Sequence, residues 1–211
     1  MAAFSRHWRD VHGPLGLAAL TDARAYIQFH RLPDAVFPAG LQPAPYDGVA
    51  QVWFATGQQA QAVADNTRYR ETVIPDERNF LDDFSDNLVG VGHVLSGHDI
   101  AHHEPLSALI VLVAADRGHS DAFTRELAAA CASALAYWRR VEFVVPDPTA
   151  HGSQLPTYDA IVFLWAADPT AVTHCWTQDA GLRAALRAAT QHPLTAILTD
   201  PVRVRWTQEG H

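Results

Sequence analysis

Two histidines, His12 and His30, each close a cluster of polar and aromatic residues and are the side chains here best suited to move a proton near neutrality. His12 ends the run Trp8-Arg9-Asp10-Val11-His12-Gly13-Pro14, and His30 ends Ala25-Tyr26-Ile27-Gln28-Phe29-His30. One imidazole can accept a proton while the other donates, provided their surroundings separate the two pKa values. Tyr26 and Gln28 are groups that orient or polarise a carbonyl, Gln51 adds a second amide, and Trp8 and Trp53 offer flat apolar walls. Enolisation, decarboxylation or aldol-type cyclisation of a small oxygenated compound would suit these parts. Each residue also has a plainer use: His12 as a helix cap before Gly-Pro, His30 as a bonded polar core group, and the tryptophans as core.

The elements that must position these groups can be read from spacing. Phe4, Trp8, Val11 and Leu15 form one apolar stripe, which predicts a helix over 3–15 packed on a sheet. Pro14 should stop or kink it near His12, placing that imidazole at a partly negative helix end that favours its protonated form. The alternation after it predicts a strand over 24–32, with Ile27 and Phe29 on the helix-covered face. Tyr26, Gln28 and His30 then line the other face, expected to border a partly enclosed cavity.

An internal repeat suggests the architecture. Tyr46-Asp47-Gly48-Val49-Ala50-Gln51-Val52-Trp53 is echoed by Tyr158-Asp159-Ala160-Ile161-Val162-Phe163-Leu164-Trp165, each octet following a Pro-rich loop. The second half reads strand 107–115, helix 119–137, strand 140–146, strand 158–166, helix 169–189, strand 194–206, which is the βαββαβ order of a ferredoxin-like unit. The first half reads helix 3–15, strand 24–32, strand 48–55, helix 57–70, a turn through Pro75-Asp76-Glu77, a short helix to Phe84 and strand 87–96, and lacks an opening strand. The expected organisation is a first repeat over 1–96, a linker over 97–105 and a second repeat over 106–211. The fold class is α+β, tandem ferredoxin-like repeats forming a single-chain, pseudo-dimeric barrel.

The first half resembles the EthD-like proteins of the dimeric α+β barrel superfamily. The resemblance is carried by Trp8-Arg9-Asp10-Val11-His12-Gly13-Pro14-Leu15, Tyr26-Ile27-Gln28-Phe29-His30, Tyr46 to Phe54, Asp76-Glu77 and Phe80, and it covers roughly residues 1–90. The second half resembles the superfamily only. What this implies is a small, cofactor-free protein of aromatic, ether or polyketide metabolism, a class that includes decarboxylases and cyclases. Related barrels include cofactor-independent monooxygenases, isomerases and haem enzymes, so the fold alone names no reaction.

Aligning the halves at Phe4 and Phe123 sets His12 opposite Cys131, and Val141, Phe143 and Val145 opposite Tyr26, Gln28 and His30; Gln51 falls against Phe163. The second half is thus expected to have an apolar inner face and a structural role, leaving one site per chain. The expected reaction is that of a cofactor-free lyase or cyclase with His12 and His30 as acid and base, and Tyr26, Gln28, Trp8, Gln51 and Trp53 at the substrate. A cofactor-independent monooxygenase and a non-catalytic binding protein for an aromatic metabolite are the alternatives.

Composition narrows the field. Fifteen basic residues against 23 acidic ones give a net charge of -8, which argues against nucleic acid or an anionic membrane as partner and for a small molecule. Every basic residue is arginine, so lysine-based Schiff-base chemistry is excluded. There is no Gly-rich phosphate loop, GxSxG elbow or HExxH. Cys131 and Cys175 read as free thiols without metal spacing. Neither a signal segment nor a membrane-length apolar run is visible, giving a cytoplasmic expectation, and the fused pair could also form a homodimer through its outer strands. Asp76-Glu77 reads as a helix cap, Arg139-Arg140 and Arg203 with Arg205 as solvated strand-edge charges, and His98, Asp99, His102 and His103 as a solvated linker rather than a metal site.

Overall fold

The structure, a computed structural model, describes residues 2–81, 92–96, 106–114, 121–147 and 158–206. The linker with its histidines and the loop after Asp147 lie outside the described residues. The fold is α+β, with eight strands in one sheet: β1 (Ala25–Arg31), β2 (Gln42–Pro43), β3 (Gly48–Trp53), β4 (Gly92–Ser96), β5 (Ser107–Val113), β6 (Arg140–Pro146), β7 (Ala160–Ala166) and β8 (Thr195–Trp206). Their order is β3-β1-β8-β5-β7-β6-β4, with β2 adding to β8. Except for β2, neighbours run antiparallel. The second half keeps the ferredoxin-like order β8-β5-β7-β6, and each half lends its last strand to the other: β8 pairs with β1, and β4 with β6.

The sheet curls. Gln51 on β3 hydrogen-bonds Glu142 on β6, and Phe29 on β1 meets Phe163 and Trp165 on β7 at ring separations of 5.3 and 5.2 Å, although these strands lie far apart in the strand order. The concave face therefore encloses Ile27, Phe29, Ile110, Phe163, Trp165 and Ile197. The convex face of the second half packs Leu109, Val111, Phe143 and Leu164 beneath its helices. Among the described residues no helix is long and apolar enough to cross a membrane.

The first helix, α1, runs through Ala2–His7, Trp8–His12 and Gly13–Ala19, its middle segment wound as a π turn. Pro14 does not end it, contrary to the sequence expectation. A proline lacks the N–H for the carbonyl four residues back and its ring crowds that carbonyl; widening the turn just before it, so that Gly13 N–H reaches the Trp8 carbonyl, relieves both. The same device recurs ahead of Pro75, where the π turn Tyr69–Val73 leads into Ile74–Glu77, together α3. Between β3 and α3, the expected long helix is only Gly57–Gln61 (α2) and a 3-10 turn, Ala62–Asp65. In the second half α4 (Asp121–Ala134), α5 (Pro169–Gln178) and α6 (Ala180–Ala189) cover the sheet, Asp179 interrupting what reads as one helix because its side chain accepts from Leu182 N–H and caps a new start.

Candidate functional site

The sheet presents its two faces in the opposite sense to the expectation. Tyr26, Gln28 and His30 lie beneath α1, and Ile27 and Phe29 point into the concave core. Gln28 Nε2 donates to the Trp8 carbonyl at 2.9 Å and to the Tyr26 hydroxyl at 3.1 Å, which leaves its Oε1 to accept from His30 Nε2 at 3.2 Å. The Trp8 ring lies tilted against that of His30, their centres 4.6 Å apart. It lies over Gly48, the register partner of His30, where a Cβ would come within 2.4 Å of Trp8. Gly16 lets α1 settle on Tyr26, whose ring stands 3.1 Å from the Cβ position there. Tyr26, Gln28 and His30 are buried here, and Tyr26, Gln28 and the Nε2 of His30 are hydrogen-bonded to one another.

A second polar cluster sits between α1 and α3. Asp76, 9% exposed, accepts from His12 Nδ1 at 3.0 Å, from His7 Nε2 at 3.0 Å and from Asn79 Nδ2 at 3.1 Å. Phe80 closes the cluster, its ring 4.8 Å from His12 and 5.2 Å from His7. Burial alone would raise the Asp76 carboxyl, but the bonds from Asn79, His7 and His12 outweigh it and hold it below its ordinary value. His12 goes the other way from expectation: it lies inside a helix rather than at its end, and burial lowers its pKa more than the Asp76 bond and charge raise it. His12 is therefore neutral at pH 7 with Nδ1–H directed at the carboxylate, and among the described residues nothing bonds its Nε2, which keeps a free lone pair.

Glu77, next in sequence, is half-buried, and desolvation followed by the charge of Asp76 lifts its carboxyl to about 7. Its charge in turn helps raise the phenols of Tyr26 and Tyr69, both already raised by burial. Two adjacent carboxyl groups are thus driven apart, one fixed as an anion and one balanced between acid and base at neutral pH. Sequence reasoning placed both in a helix cap; the only available signal was an acidic pair directly after a proline. His30 is lowered to about 4, by burial and then by the charge of Arg9, so it stays neutral throughout the physiological range.

Of the seven residues expected at the site, Trp8, Tyr26, Gln28 and His30 come together, and His12 lies one turn along α1 from Trp8. Gln51 and Trp53 do not join them. They are the register partners of Ile27 and Ala25 and share the concave side. Arg140, expected in solvent, is 7% exposed on that same side and ion-pairs with Glu142, which is 1% exposed, so the inner face of the second half is not wholly apolar. Val141 and Phe143 do pack on the convex, helix-covered face, as Tyr26, Gln28 and His30 do in the first half. Cys131 and Cys175 are free thiols, and among the described residues no group of three or more His, Cys, Asp or Glu is arranged to hold a metal ion.

Residues 1–83 match the family model of the EthD domain. No curated protein matches the chain.

Proposed function

We propose that this chain, an EthD domain fused to a second α+β half, is a cofactor-free lyase or cyclase acting on a small aromatic or polyketide-like carbonyl compound, the two halves together serving as a single-chain barrel. The observation that carries the reading is the His12–Asp76 pair: the carboxylate fixes the imidazole tautomer and partly offsets the lowering by burial, which leaves Nε2 as an unprotonated base at neutral pH. Nε2 takes a proton from the carbon next to the substrate carbonyl. The electron pair moves onto the oxygen as an enolate, or forms a carbon–carbon bond to a second carbonyl of the same molecule. Glu77, half protonated near pH 7, gives its proton to the oxygen that becomes negative; in the dehydration that follows, the Glu77 carboxylate takes the second proton from the same carbon as the hydroxyl leaves, and His12 gives its proton to that hydroxyl, so water departs and both groups return to their starting states. Tyr26, Gln28 and His30, buried beneath α1, support the helix that carries His12, and Asp76 is a positioning residue.

The test is to incubate the wild type with aromatic β-keto acids and phenolic diketones and to follow products by mass spectrometry. Loss of carbon dioxide or water by the wild type, abolished in His12→Ala and reduced at least tenfold in Glu77→Gln, supports the assignment. Asp76→Asn is expected to lower kcat with little change in KM and to move the acidic limb of the pH profile. A wild type that binds members of the panel without converting any would overturn the enzyme reading in favour of a binding protein; oxygen uptake with the same compounds would replace it with an oxygenase.

A further inference from the structure

One carboxylate serves two imidazoles, and the π turn of α1 is what allows it. In a regular α-helix residues five apart stand about 140° apart around the axis, so His7 and His12 would face different ways. A π turn closes its hydrogen bond over five residues and brings the chain back to nearly the same side. Both rings therefore face α3, where Asp76 Oδ1 accepts from His7 Nε2 and Oδ2 from His12 Nδ1, each at 3.0 Å. Both also rest against Phe80, so little water screens one from the other. They differ in access to solvent: the His7 side chain is 28% exposed and that of His12 8%. Desolvation penalises charge on the more buried ring, so the first proton taken up as pH falls goes to His7. The charge of His7 then acts on His12 against that of Asp76.

We propose that His7 regulates the His12 base: when acid protonates His7, its charge claims the Asp76 carboxylate and withdraws from His12 the support that lets it hold a proton. This role rests on the reading of His12 as the base of the site; given that, acid weakens the base before protonating it. The neighbouring groups leave the competition between the two rings intact. On α1, Arg6 and Arg9 act on Asp10, and Arg9 and Asp10 pair with each other in solvent. On α3, Asn79, the third donor to Asp76, is neutral, and Glu77 acts on Tyr26 and Tyr69. On β1, His30, lowered to about 4, carries no charge near neutrality.

The test follows the ring nitrogens of His12 by proton–nitrogen NMR as the full chain is titrated from about pH 8 to about pH 4 without substrate, the His12 signals being identified by their loss in His12→Gln. His7→Gln keeps a donor for Asp76 but takes up no proton, and is expected to raise the proton affinity of His12 about threefold, which is about half a pH unit. His7→Arg, charged throughout, is expected to leave His12 at its wild-type midpoint. A merely structural role for His7 would move both variants alike or neither. Equal His12 midpoints in the Gln and Arg variants, or a lowered one in His7→Gln, overturn the proposal. Thermal unfolding checks both variants, and His7→Asn, likewise uncharged, replaces His7→Gln should that one unfold. Because no substrate enters, absence of the coupling in a chain that converts the carbonyl panel overturns the role of His7 alone, whereas coupling in a chain that converts nothing upholds the competition for Asp76 and overturns the lyase reading.

Discussion

His30 and Glu77 make opposite contributions to stability as pH changes, and the balance can be split by single substitutions. His30 titrates at about 6.5 when unfolded and about 4 when folded, so the unfolded chain takes up the proton first: the stability His30 confers is complete above pH 6.5 and is lost as pH falls toward 4. Glu77 titrates at about 4.5 unfolded and about 7 folded; its contribution is complete below pH 4.5 and is lost as pH rises through 7. Each displacement is worth at most about 3 kcal/mol across its window, and partial contact with water reduces that to about 1–2 kcal/mol. The wild type should therefore show a nearly level urea stability from pH 4.5 to 7, tilted slightly upward by His12, whose lowered pKa acts with His30. Glu77→Gln should steepen the rise with pH. His30→Gln, which keeps a donor for Gln28 Oε1, should instead make stability fall by about 1–2 kcal/mol over the same range. Urea midpoints at half-unit pH intervals read this directly. If both variants keep the wild-type slope, neither group is desolvated as argued and the acid–base assignment of Glu77 goes with it.

Two further substitutions test the packing that holds the sites. Gly48→Ala would place a methyl group 2.4 Å from Trp8 and 2.7 Å from the Phe29 carbonyl, so a loss of about 2 kcal/mol in urea denaturation is expected, with the Trp8–His30 ring contact displaced. Arg140→Met would strand Glu142 in the concave core and should cost about 3–5 kcal/mol; the double change Arg140→Met with Glu142→Leu should recover most of it, and failure to recover would show that the pair does more than neutralise itself.

The elements were largely legible because period two and period 3.6 are local signals, but which face of β1 meets the helix was not. Tyr26, Ile27, Gln28 and Phe29 are all nearly inaccessible, so alternation separates two buried faces without naming either. The stripe on α1 misled for a related reason. A π turn holds an extra residue and rotates everything after it, so Val11, expected inside, is 43% exposed while His12 is 6% exposed. Pro14 and Pro75 were visible, yet a proline in a helical pattern announces a break more readily than a wide turn. Asp76 lies 64 residues from His12, and no short-range pattern reports such a contact. Arg140 looked like an edge charge because the sequence does not reveal that β4, from the other half, covers the outer side of β6.

That exchange of strands bears on which half can stand alone. Without β8 and β7, β1 retains only β3, and a two-stranded ribbon is marginal in water. Ile27 and Phe29, at 1% and 0% exposure, would lose Phe163 and Trp165 and face solvent at roughly 1.5–3 kcal/mol each, more than an isolated helix pair over Tyr26 and Gln28 can offset. The second half is different: its described strands and helices share a core in which nearly every fully buried residue, from Leu109 to Leu198, is its own. Residues 106–211 expressed alone should therefore unfold cooperatively, whereas residues 1–96 alone should give no transition by circular dichroism and should recover one when mixed with the other fragment. A cooperative transition in 1–96 by itself would refute this dependence. If it holds, the half that carries His12, Asp76 and Glu77 is folded by the half that carries none of them, because the inner side of the strand beneath the site is packed by its partner.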